Sequence, residues 1–218
     1  MNYRRRNPLV MIRILFSLLL ASATLFGQYT VEQAGPPPAD LSPEIVAALG
    51  GTGYKIVGSD GAVYAELWFR NSSVDGPVTG EQEVSWNTVA HGTLIGAARY
   101  PAQAQDRRGQ VIKPGVYTLR FSYYPVNGAH QGLEPSRDFL ILSPAAIDRD
   151  PTSTPKFDEL MEMSRKASGT QHPAVLSCWK AEDDWQAGLT QMGEDWVLNV
   201  KVGETKISVI VKGVNPNG

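Results

Sequence analysis

A single cysteine, Cys178, leaves this sequence with neither a disulfide framework nor an all-cysteine zinc site, so its stability rests on packing. Histidine is almost as scarce. His91, His130 and His172 are the only three, and none stands in an H-x-H, H-x-x-x-H or H-E-x-x-H spacing. No G-x-S-x-G nucleophile elbow occurs. No apolar run reaches the about 20 residues a bilayer-crossing helix needs, and no internal repeat is present. Charged residues make up only 19% of the sequence and form no basic stripe, which argues against nucleic acid as a partner. Glycine and proline are plentiful instead: 21 and 15 among 218 residues punctuate the chain too often for a helical bundle or coiled coil. With 42% hydrophobic residues, that length fits one domain of ordinary size with a buried core.

The amino end reads as an export leader. Arg4, Arg5, Arg6 and Arg13 precede the apolar run from Ile14 to Leu20, and Ala21-Ser22-Ala23 forms an A-x-A cleavage box. Residues 1–27 are therefore expected to be a signal peptide, with Arg4-Arg5 admitting a twin-arginine route and Met11 an alternative start. The expectation is a periplasmic or secreted protein with no stable membrane span once the leader is removed. Removal takes away four basic groups and no acidic ones, leaving 16 Lys+Arg against 22 Asp+Glu, a formal charge of -6. In an exported chain the lone Cys178, flanked by Val175, Leu176 and Trp179, is expected to be buried.

Residues 28–40, with Gly35 followed by three prolines, read as an extended, Pro-rich linker. The domain is expected to span 41–218. Ser42-Pro43-Glu44 offers an N-cap, a first-turn proline and an acidic first turn for a short helix ended by Gly50-Gly51. Branched and aromatic residues then predict strands at Tyr54–Val57, Val63–Arg70, Glu83–Trp86 and Thr93–Tyr100. The clearest runs from Val116 to Tyr124, where Tyr117, Leu119, Phe121 and Tyr123 alternate with Val116, Thr118, Arg120 and Ser122. Phe139–Leu142 is a short apolar run expected to be covered on both sides. Thr154-Pro155 is expected to cap a second helix carrying Phe157, Leu160, Met161 and Ser164 on one side and ending before Gly169. Ala174–Trp179, Trp196–Val202 and Thr205–Val211 return to strand, with Gly203-Glu204 as a two-residue hairpin turn. Many short strands and two helices predict a mostly β, antiparallel β-sandwich, jelly-roll or immunoglobulin-like.

Candidate chemistry is sparse. The three histidines could converge on a divalent transition metal, which would make the chain a metal-dependent hydrolase or metal carrier; apart from that metal, no cofactor is implied. Asp148-Arg149-Asp150 with Glu159 has the length of a calcium loop, but Ser153 stands where that loop needs glycine, so a helix-start role is the better reading. His130, Ser136 and Asp138 fall close together in sequence around the loop Pro125–Arg137, and Arg137-Asp138 reads as an ion pair at a strand start. That loop is the first place to look for a ligand, through Asn127, His130 and Gln131 beside Tyr124. Among the five tryptophans, Trp68 and Trp196 read as core, leaving Trp86, Trp179 and Trp185, beside Tyr123 and Tyr124, as candidates to stack on sugar rings. Trp185, preceded by Glu182, Asp183 and Asp184, is expected to be the most exposed.

Pro114-Gly115-Val116-Tyr117-Thr118-Leu119-Arg120, His130-Gln131-Gly132 and Arg137-Asp138-Phe139-Leu140-Ile141-Leu142-Ser143-Pro144 resemble segments of uncharacterised exported bacterial β-sandwich proteins. Phe157-Asp158-Glu159-Leu160, Met163 to Gly169 and His172-Pro173 extend the resemblance through the later half. It implies a fold and a location, and no reaction. The functional expectation is thus an exported, non-enzymatic binding or accessory domain, its ligand a glycan or an envelope protein held by Asn127, His130, Gln131, Tyr124 and Trp185. The alternative is metal chemistry at His91, His130 and His172.

Overall fold

The strand Gly115–Tyr123, here β7, shows how the alternation becomes architecture. Tyr117, Leu119 and Phe121 point into the main core, as successive side chains of a pleated strand take opposite faces. Thr118, Arg120 and Ser122 point the other way, yet they too are buried, because helices and loops cover the outer face of this strand. The computed structural model describes residues 28–125, 136–181 and 184–214. The expected leader and the candidates Asn127, His130 and Gln131 lie outside the described residues.

Around β7 the chain lays down β1 (Tyr29–Ala34), α1 (Pro43–Ala48), β2 (Gly53–Gly58), β3 (Val63–Phe69) and β4 (Leu94–Tyr100) before it. The short pair β5 (Ala104–Gln105) and β6 (Val111–Ile112) forms a separate hairpin. After β7 come β8 (Asp138–Pro144), α2 (Phe157–Ser168), β9 (Val175–Lys180), β10 (Gly188–Met192), β11 (Asp195–Val202) and β12 (Thr205–Lys212). Ten strands join in one antiparallel sheet, in the order β1-β2-β3-β4-β7-β8-β9-β12-β11-β10. From β9 the chain crosses to the far edge and returns through β11 and β12 to lie beside β9. The sheet curls until its edges meet: the Tyr29 ring of β1 lies 5.6 Å from Trp196 of β11.

The mostly β, antiparallel character with two helices is as the sequence predicts. The two facing layers, however, are opposite walls of one rolled, nearly barrel-shaped sheet, and the order through β9 is a meander. Alternation specifies which side chains face inward but not where a sheet closes, since a sandwich and a rolled sheet each present one apolar inner face. Leu67, Ile95, Leu119, Leu140, Leu176, Leu198 and Val209 fill the interior from seven strands. Two smaller clusters sit outside it. Ile45 and Leu49 at α1 pack on Trp68 and Leu94, while Leu160 and Met161 of α2 pack on Phe139, Ile141 and Val175. The apolar run of β8 is therefore covered on both sides, as expected.

Local signals mostly match. The Ser42 hydroxyl accepts from the Ile45 N–H at 3.3 Å, and Gly169 ends α2 with φ 71°. Gly203 turns β11 into β12 with φ 56°, as the hairpin reading requires. Four expectations need correction. Tyr29–Ala34, inside the supposed linker, pairs with β2 along its whole length. Glu83–Trp86 is a turn, because the Ser85 and Trp86 N–H groups donate to the Asp138 carboxylate instead of to a strand. Helix α2 starts after Lys156 without a side-chain cap, so Thr154 is not its N-cap. Trp196 is half-buried at the seam. Strand β10 lay in no predicted strand; its Thr190, Gln191 and Met192 are exposed, so an edge strand lacks the apolar signal of a central one. Among the described residues no helix is long and apolar enough to cross a membrane.

Candidate functional site

The outer face of β9, β12, β11 and β10 carries a concave surface lined by aromatic, amide and hydroxyl side chains. Pairing places Ser208 opposite both Trp179 and Asn199, and Asn199 opposite Gly188, so Trp179, Ser208, Asn199 and Gly188 form one row across four strands. Strands lie about 4.8 Å apart, so the row spans roughly 15 Å. The connection from β9 to β10 brings Ala181, Asp184, Trp185 and Gln186 against it, and these with Trp179, Thr190, Met192, Asn199 and Ser208 enclose an open concavity of about 370 Å³. Its polar groups are held in place. The Ser208 hydroxyl donates to Asn199 Oδ1 at 2.7 Å, and Asn199 Nδ2 donates to the Gln186 carbonyl at 2.9 Å. Trp185 Nε1 donates to the Ile207 carbonyl at 3.2 Å, and Lys206 Nζ lies 5.6 Å from the Trp185 ring. A second shallow recess, formed by Trp179, Met192, Gly193, Asp195, Val197 and Ile210, shares Trp179 and Met192 with the first. The two make one elongated groove with an indole between them.

Tyr124 and His172 lie elsewhere. They line a smaller groove of about 230 Å³ between α2 and the outer face of β8 and β9, floored by Phe139, Ile141, Met161 and Val175. Tyr124 packs on Phe139 with ring centroids 5.5 Å apart. The expected pairing of Tyr124 with Trp185 in one site is therefore corrected: the rolled sheet puts them in two separate grooves. Trp185 is half-buried rather than exposed, because its indole turns down onto the β12 backbone. Trp86 is fully buried, its Nε1 donating to Asp75 and its ring against Phe121, so it cannot stack on a ligand.

His91 sits in the turn before β4, with its ring 6.0 Å from Tyr123 and 5.8 Å from Phe157. Burial lowers its pKa, against a raising contribution from the Pro155 carbonyl. Among the described residues no group of three or more His, Cys, Asp or Glu side chains could hold a metal ion. The metal candidates His91 and His172 thus have no such cluster around them there, and His130 lies outside those residues.

The other polar candidates are consumed by the fold. Ser136 donates to the Cys178 carbonyl at 2.6 Å, while Asp138 accepts from the Ser85 hydroxyl at 2.6 Å and from two backbone N–H groups. Burial raises the Asp138 pKa, against these hydrogen bonds. Arg137 turns away, donating to the Tyr124 carbonyl at 2.7 Å and to the Gln82 carbonyl. The expected Arg137-Asp138 ion pair is accordingly two separate anchors, Asp138 on Ser85 and Trp86 and Arg137 on Gln82 of the same β3–β4 connection and on the Tyr124 carbonyl. Asp148 accepts from Arg120 Nε and Nη2, each at 2.6 Å, and from Thr118, which leaves it no role in a calcium loop.

Sequence reasoning missed Thr190, Met192, Asn199 and Ser208. For Asn199 and Ser208 the available signal was a polar residue among alternating apolar ones in predicted strands. No protein-family model matches this chain, and comparisons with curated proteins and with solved structures likewise found no match.

Proposed function

We propose that this chain is an exported, non-enzymatic binding module that takes a glycan in the groove of Trp179 and Trp185. The observation that carries the reading is the combination of two part-exposed indoles with fixed amide and hydroxyl groups along one elongated depression. Aromatic faces accept the C–H faces of sugar rings, and amides and hydroxyls pair with sugar hydroxyls while remaining solvated when empty. In this reading the curled sheet acts as a sandwich-like scaffold, with the β9-β12-β11-β10 wall turned outward as the recognition surface. The leader expected at residues 1–27 supports a periplasmic or extracellular location, where polysaccharide is available.

Retention of the purified protein on an array of neutral and acidic polysaccharides tests the proposal. Trp185→Ala and Trp179→Ala are each expected to weaken retention about tenfold or more, equivalent to about 1.4 kcal/mol. Tyr124→Ala, in the other groove, leaves it unchanged. Retention indifferent to both tryptophans, or no retention on any polysaccharide, overturns the assignment.

A further inference from the structure

The second groove differs in chemistry from the first, and we infer that it is a site for a small apolar carboxylate, such as an aryl-alkanoic or short branched acid. Its floor is apolar: Phe139, Ile141, Met161 and Val175 lie below, with Tyr124 and Phe157 on the walls. Phe157, in the first turn of α2, is 40% exposed despite its size, so an apolar surface stands open at the rim. No Asp or Glu lines this groove, whereas Arg108 and Arg165 both do.

Both guanidinium groups are fixed in place. Arg108 Nη2 donates to Asp106 Oδ2 at 2.6 Å and to the Pro173 carbonyl at 2.8 Å. Arg165 donates from Nε to the Gln171 carbonyl at 3.0 Å and from Nη1 to Glu162 at 3.2 Å. Arg108 Nη1 and Arg165 Nη2 have no hydrogen-bond partner among the described residues. Donors already held in one orientation bind an anion with little further loss of side-chain entropy. The volume of about 230 Å³ falls below the about 300–1,000 Å³ of pockets for drug-sized ligands, which limits the occupant to one ring or one short branched chain. Apolar floor and remaining guanidinium N–H donors, on groups whose charge Asp106 and Glu162 already balance, together select a carboxylate acceptor over its neutral or cationic isosteres.

Titration calorimetry with 3-phenylpropionate, its amide and 3-phenylpropylammonium tests the inference on the whole protein, with methyl NMR of Met161 and Ile141 as the locator. The acid is expected to bind and to shift both methyl signals, with the amide about tenfold weaker and the ammonium weaker still. Arg165→Gln, at a partly exposed position, weakens the acid several-fold, with Arg108 still in place, and leaves the amide's affinity unchanged. Phe157→Ala weakens both. Trp185→Ala, which disables the glycan groove, changes nothing here. Equal affinity for acid and amide, binding without shifts at Met161 and Ile141, acid binding unaltered in Arg165→Gln, or no binding of any probe overturns the inference.

Discussion

Replacing Asp148 by Asn is expected to cost this protein a large share of its stability. Arg120 is fully buried on the outer face of β7, and Asp148 is 3% exposed. The guanidinium donates to both carboxylate oxygens, to the carbonyls of Gly92, Asp150 and Ser153, and to the Ser153 hydroxyl. The substitution keeps the shape but leaves a buried cation without its counter-charge and turns an amide N–H₂ toward other donors. Removing one partner of such a pair typically costs about 3–5 kcal/mol. With a urea dependence of about 2 kcal/mol per molar, the unfolding midpoint falls by roughly 1.5–2.5 M. The double variant Arg120→Met with Asp148→Leu recovers only part of this. It removes both charges, but the Gly92, Asp150 and Ser153 carbonyls each lose a donor, at about 1–3 kcal/mol for any left buried and unpaired. Urea denaturation followed by tryptophan fluorescence measures both variants against the parent. A loss below about 1 kcal/mol for Asp148→Asn would refute the view that this pair holds the segment after β8 against the sheet.

Two further outcomes follow from titratable groups. Burial opposes ionisation of Asp75, but hydrogen bonds from Thr205, Thr88, Trp86 and Ser73 outweigh it and hold the carboxyl at about 2. A carboxyl lowered on folding stabilises the native state fully above its ordinary value of 3.8, and the benefit is lost as pH falls through about 2. The gap in urea midpoint between the parent and Asp75→Asn should therefore narrow as pH falls through that window; a gap constant with pH rejects the assignment. Cys178 is fully buried, and burial, with Asp138 nearby, raises its thiol pKa well above the ordinary value. A disulfide reagent at neutral pH should label it only on unfolding, with a rate that rises with urea, and rapid stoichiometric labelling of the native protein would contradict its placement.

The site was partly legible. Trp179 and Trp185 stood out because large aromatics beside polar residues are visible in a sequence, and Cys178 because its neighbours are apolar. Asn199 and Ser208 did not, since a polar residue in alternation means only that it faces away from the core. What converts them into a groove is register: Trp179, Ser208 and Asn199 become neighbours through pairings between β9, β12 and β11. The same holds for Arg120, whose alternation in β7 predicts a polar outer face but not the Asp148 that buries it.

Local physics determined the strand and helix identities along most of this chain, because side-chain periodicity, caps and turn residues act within a few positions of one another. Tertiary structure alone decided that residues 29–34 close an edge, that β10 joins the far edge ahead of β11, and that Tyr124 and Trp185 face different grooves. Those outcomes depend on which distant backbones share hydrogen bonds and how far the sheet curls, and such choices are settled by the free energy of the whole packed core rather than by any segment within it.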